Sequence, residues 1–245
     1  FGGREHVHEN REIRFVPTHP TLDEWTPNHK GARENPAIVN AICRQCHHSG
    51  DLMWPDGSAR LNSLESVELD AGSCVSQLKC TKCHQIHQKG PDAGAPDRTE
   101  HLSACVDCHN EFQSQGNAIN HSNHESDDAT CLDCHMPRIV YGFEVYNRSH
   151  RISSPTDSKI IPNGMPNACS LCHLDKSLAW VRDALEDGWG KRVDLPLFQG
   201  EKSNHLSPMV LAPLSAGEEW LTHPFEDIRL VGAAAYARSR LGDSK

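Results

Sequence analysis

Cys131-Leu-Asp-Cys-His135 is one of five stretches that share a form, and that form decides the fold. The others are Cys43-Arg-Gln-Cys-His47, Cys80-Thr-Lys-Cys-His84, Cys105-Val-Asp-Cys-His109 and Cys169-Ser-Leu-Cys-His173. Two thiols three positions apart, followed at once by an imidazole, are the signature of covalent haem attachment. Both thiols add to the vinyl groups of one porphyrin, and the adjacent imidazole reaches its iron from one face. Histidine makes up 17 of 245 residues, so a histidine behind each of five pairs has a chance expectation on the order of 10⁻⁶. Cys43, Cys46, Cys80, Cys83, Cys105, Cys108, Cys131, Cys134, Cys169 and Cys172 are the expected thioether positions. His47, His84, His109, His135 and His173 are the expected proximal ligands of five c-type haem irons.

Zinc is the main structural rival, since cysteine pairs also build four-cysteine sites. Such sites use pairs two at a time, five is odd, and zinc gives no reason for a histidine after every pair. Iron–sulfur clusters fail on the same count. Disulfide staples suit an exported protein, but a bridge inside Cys-x-x-Cys is usually a redox-active one. Cys74 is the eleventh cysteine and has no partner once ten are thioethers. It reads as a buried free thiol, or as a bridge to another subunit.

Mean hydropathy is −0.60, which leaves little apolar material for a core. Five large flat porphyrins would supply the missing interior, and the chain without them is expected to be largely unfolded. The formal charge of −9 argues against nucleic acid and anionic membranes, which need a basic patch. The longest uncharged apolar run, residues 230–237, is too short to span a bilayer. A start at Phe1 without a signal-like region reads as a mature chain whose targeting segment is gone, and so as a periplasmic or extracellular protein.

The expected fold is mainly α with much irregular loop and little or no β, organised around five covalent haems. Gly, Pro, Asp and Asn clusters such as 89–96 separate the units and read as loops. Residues 1–40, broken by four prolines, read as an extended arm ending in a short helix near Ala37. Residues 41–175 form the five-haem core. Residues 176–245 read as a haem-free helical appendage: Leu178, Val181 and Leu185 share a helical face, with Asp175 as its N-cap. A second helix follows Pro224, which suits a first turn.

Twelve histidines remain for five sixth positions, against four methionines: Met53, Met136, Met165 and Met209. Met136 directly follows a proximal histidine and cannot reach the opposite face. Bis-histidine ligation is therefore the expectation, which holds reduction potentials below those of Met/His haems. His87, three residues after His84, points to a neighbouring haem. Of His121 and His124, one reads as a ligand and the other as a haem-edge contact. His150, between Arg148 and Arg151, reads as a ligand whose flanking cations meet propionates. His29 lies just upstream of the first unit. His8, His19, His48 and His101 are further candidates, whereas His205 and His223 read as ordinary surface residues.

Residues 131–137 and 166–173 resemble the last two haem units of a multihaem cytochrome superfamily. It holds the tetrahaem cytochromes of ammonia oxidisers, pentahaem nitrite reductase and the hydroxylamine oxidoreductase group. Cys80-Thr-Lys-Cys-His-Gln-Ile-His87 is similar to its paired-haem unit with a trailing ligand, and Ser149-His-Arg-Ile-Ser-Ser-Pro155 to its distal-histidine stretch. Trp25-Thr-Pro-Asn-His29 loosely resembles a segment that supplies another distal ligand. The resemblance covers residues 20–180 and implies close haem pairs; residues 222–240 look like one HEAT-type helix, which implies a docking surface. Nitrite reductases of the group bind the catalytic haem through Cys-x-x-Cys-Lys, and every unit here ends in histidine. Electron transfer between redox partner proteins is therefore expected ahead of a reductase or oxidase of nitrite or hydroxylamine. A third expectation changes assembly alone: His6, His8 or His19 of the arm could ligate a haem of the next subunit, as in a filament or larger cytochrome complex.

Overall fold

The computed structural model describes residues 8–9, 35–84, 98–142, 145–156, 160–161, 165–193 and 214–241. Among them the chain is mainly helical, with nine α-helices, a short 3-10 helix (Asn110–Gln113) and one two-stranded sheet. The helices are α1 (Pro36–Arg44), α2 (Glu65–Ala71), α3 (Cys80–Cys83), α4 (Arg98–Val106), α5 (Gln115–Ser122), α6 (Cys131–His135), α7 (Leu178–Trp189), α8 (Ala216–Leu221) and α9 (Glu226–Leu241). The strands are β1 (Arg138–Gly142) and β2 (Val145–Arg148), paired antiparallel with Val140 opposite Asn147 and Tyr141 opposite Tyr146.

Local chemistry accounts for the helix ends. Asn35 caps α1 by accepting a hydrogen bond from the Ala37 amide at 3.0 Å, and Pro36 fills the first position, where no amide proton is needed. Ser177 caps α7 by accepting from the Trp180 amide at 3.2 Å. The cap expected at Asp175 is thus two residues later, because the Ser177 hydroxyl reaches the open amide of the first turn. Ser215 and Glu218 form a reciprocal box at the start of α8. The last helix begins at Glu226, so Pro224 precedes its first turn instead of occupying it.

The core is one apolar cluster. It joins Trp54, Ala59 and Leu64 to Ile139, Val140 and Tyr146 of the hairpin, and to Leu178, Val181 and Leu185 on one face of α7. Trp220 of α8, Ile228, Val231 and Ala235 of α9, and Leu171 and Leu174 around the fifth Cys-x-x-Cys-His stretch also belong to it. Residues on both sides of position 176 therefore share one interior. Segment 53–62 runs beside β1, with the Tyr141 amide donating to Arg60 O at 2.9 Å and the Asn62 amide to Tyr141 O at 2.9 Å. α8 and α9 touch at Gly232, where a Cβ would sit 2.8 Å from Trp220 Cβ. Only glycine permits that approach.

Candidate haem-binding site

All five Cys-x-x-Cys-His stretches fold into the same turn. The histidine amide donates back to the carbonyl of the first cysteine at 2.9 Å in the first and fifth units and at 3.0 Å in the second and third. The fourth is the helix α6. One turn brings residues i, i+3 and i+4 to one side, so both thiols and the imidazole face the same space. None of the eleven cysteines is paired in a disulfide.

Burial pushes the thiols of Cys80 and Cys134 up to about 12, and those of Cys105 and Cys169 up to about 11. Redox-active Cys-x-x-Cys pairs are shifted the opposite way, toward thiolate. Among the described residues no three His, Cys, Asp or Glu side chains converge on a metal-ion position. The arrangement suits a group that brings its own equatorial ligands and needs the protein for only two axial ones.

The imidazoles test that fit. A histidine nitrogen bonds a metal at about 2 Å and its ring centre lies about 1 Å further back, so two imidazoles sharing one metal from opposite sides have centres about 6 Å apart. His121 and His135 are 6.2 Å apart with nearly parallel rings. His84 and His150 are 6.0 Å apart, and His124 and His173 are 5.9 Å apart. Three proximal histidines thus have a facing imidazole at the separation a shared metal requires. His101 lies 6.4 Å from His84 at a steep angle, a second candidate for the same place. His121 and His124 each lie against a different one of these histidines.

Hydrogen bonds fix the ring orientations. The Nδ1 of His135 lies 2.8 Å from Ser153 O, that of His124 2.6 Å from Ser122 O, and that of His47 2.9 Å from Glu65 Oε2. An Nδ1–H held by an acceptor leaves Nε2 as the metal-facing atom. Burial also lowers the pKa of His84, His135, His150 and His173, favouring the neutral imidazole that metals bind.

Successive units are neighbours. Asn40 of α1 donates to Leu78 O and accepts the Cys80 amide, both at 2.9 Å, and the Cys43 and Cys80 thiols lie within electrostatic reach of each other. Lys82 of the second unit pairs with Asp107 of the third. The Cys105 thiol feels those of Cys131 and Cys83, and the Cys134 thiol feels those of Cys169 and Cys172. Cys74, half-buried, also lies within electrostatic reach of Cys105.

Several groups that the sequence did not single out build the surroundings. Arg148 donates to Leu132 O at 2.8 Å, Met136 O at 3.2 Å and Asp133 Oδ1 at 2.7 Å, clamping the fourth unit. Arg151 pairs with Asp56 at 3.2 Å. Both cations beside His150 thus engage protein groups. Glu68 is fully buried, and burial raises its pKa to about 7 against three donated hydrogen bonds that lower it. Trp180 lies 4.9 Å from His173, and Trp189 donates to His121 O at 2.5 Å, so α7 backs both the fourth and fifth units. His223 is buried, its Nδ1 accepting from the Phe225 amide at 3.1 Å, and is not the surface residue expected. His48 is exposed beside the first unit, and His8 is also exposed. His6, His19, His29, His87 and His205 lie outside the described residues.

No helix among the described residues is long and apolar enough to cross a membrane. No solved structure matches the chain. The family model for cytochrome c552 matches residues 117–207, which contain the fourth and fifth units together with His121, His124 and His150. Over that stretch the chain is similar to cytochrome c552, and this supports a c-type cytochrome with covalently held haem iron.

Proposed function

We propose that the chain carries five c-type haems, one on each Cys-x-x-Cys-His unit, and passes electrons along them in chain order between redox partner proteins. His47, His84, His109, His135 and His173 supply the proximal imidazoles. His150 closes the second haem, His121 the fourth and His124 the fifth. His29 and His87 are the remaining ligands, for the first and third haems, where no described histidine faces the proximal one. His150 is preferred to His101 because its outer nitrogen lies beside a carboxylate, as that of a metal-bound histidine commonly does. Bound haem supplies one-electron chemistry at low potential; the protein holds each iron between two imidazoles and keeps successive units in contact. The same reading makes the chain an exported protein, periplasmic or extracellular.

The observation that carries this reading is the spacing of about 6 Å in three imidazole pairs. The intact mass of the protein should equal that of the polypeptide plus five haems, and the reduced protein should not bind carbon monoxide. A mass at the bare polypeptide value would overturn it. A second reading, a reductase or oxidase of nitrite or hydroxylamine, draws on the first and third units, whose proximal His47 and His109 face no imidazole among the described residues. Substoichiometric carbon monoxide binding together with turnover of either compound would favour it over conduction.

A further inference from the structure

One short helix reaches the axial histidines of two neighbouring units. Glu65 and Glu68 stand three positions apart on α2, which puts them on one face. Glu65 Oε2 lies 2.9 Å from His47 Nδ1. Glu68 Oε1 accepts the Ala59 amide at 2.7 Å and the Ser149 hydroxyl at 2.6 Å, while Oε2 accepts the His150 amide at 2.9 Å. A carboxylate has about four acceptor sites, so Oε2 retains one. His150 Nδ1 lies 3.8 Å from that oxygen, buried and without a hydrogen-bond partner. A small rotation of the ring would join this donor to this acceptor.

We propose that α2 is a ligand-positioning helix, with Glu65 orienting His47 and Glu68 orienting His150 on the first and second haems. The inference rests on the reading of His47 and His150 as axial ligands. A carboxylate on the outer nitrogen of a metal-bound histidine fixes the ring and makes it more basic. A more basic imidazole favours ferric iron and so lowers the reduction potential of that haem. The first two haems are thereby set below the potentials their bis-histidine ligation alone would give. A merely structural Glu68 would satisfy the amides of Ala59 and His150 and the hydroxyl of Ser149 and leave the iron untouched.

Glu65→Gln and Glu68→Gln in the haem-loaded full chain separate the two roles, read by potentiometric titration with electron paramagnetic resonance. Each variant should keep five haems, raise the potential of one haem, and change the g-values of that haem alone. The affected haem should differ between the two variants. Unchanged potentials and g-values, even with a lowered melting temperature, overturn the proposal. Glu65 is partly exposed, so Glu65→Gln decides the matter if Glu68→Gln fails to accumulate. His150→Ala distinguishes the two levels of the argument: it should turn one haem high-spin. If it does not, the ligand reading is lost. If it does while both glutamine variants are silent, only the positioning role is.

Discussion

Two regions of this molecule solve the problem of a missing core with different material. Residues 72–135 hold three of the five units in full and, among the described residues, bury only Ala104 and Leu132 as apolar side chains. The body made from segment 53–64, the hairpin, residues 161–193 and α8 to α9 gathers eighteen buried apolar residues into one cluster, Leu171 of the fifth unit among them. Among the described residues, none of its buried members lies between Leu64 and Ile139, and only the partly buried Val67 packs against it from that stretch. Side-chain burial thus stabilises one region, while the other has helices of four to nine residues with little to pack against. Helices that short are not stable in water by themselves. On the five-haem reading proposed above, its order comes from the porphyrins, whose flat faces would lie between the facing imidazoles.

The sharpest way to break this comparison is to withhold haem. In chain produced without haem attachment, amides of α4, α5 and α6 should exchange with solvent at close to unfolded rates. Those of α7 and α9 should keep measurable protection. Hydrogen exchange read by mass spectrometry checks it segment by segment. Equal protection in both regions would mean that the haem stretch is held by something other than its cofactors, and equal loss would mean that the C-terminal core also depends on them.

A smaller effect tests the other region from within. Trp220 is fully buried and meets the backbone of α9 at Gly232. Trp220→Ala should lower stability by about 3–5 kcal/mol, the usual result of removing a buried indole. The loss should appear as a lower melting temperature of helical circular dichroism, with the Soret and α bands of the loaded protein unchanged. A change in those bands would show that the two regions are coupled more tightly than their separate interiors suggest.

What the sequence reveals divides along the same line. The five Cys-x-x-Cys-His turns were legible because their pattern is compressed into five adjacent residues, and Leu178, Val181 and Leu185 because a helical period writes a buried face locally. The cap at Ser177 was mistaken for Asp175 because both are good capping residues just before one apolar run. Glu68 and Arg148 were not legible as site residues. Glu68 meets Ser149, 81 positions away, and Arg148 meets Asp133, 15 positions away; no local pattern marks either contact. The imidazole pairs fall between these cases. His121 and His124 were visible as ligand-rich sequence, but only folding sends one to His135 and the other to His173.

Arg148 offers the finest probe because it belongs to both regions. Its backbone lies in β2, and the hairpin's buried residues feed the C-terminal core. Its guanidinium holds α6 by two carbonyls and the Asp133 carboxylate. Asp133 is partly desolvated, which raises its pKa, but the hydrogen bonds from Thr130 and Arg148 outweigh this and leave it lowered. Arg148→Ala strips a charged acceptor and two carbonyls of a donor, and should cost about 1–3 kcal/mol. Lysine keeps the charge but not the planar fork, so Arg148→Lys should recover only part of the loss. If the haem turn and the core are mechanically joined here, the His121–His135 haem should change its spectrum while the melting temperature falls. A fall in melting temperature with all five haem spectra intact would leave Arg148 as a brace of the hairpin alone, and the fourth unit would then be positioned by its porphyrin and the capping box of Thr130.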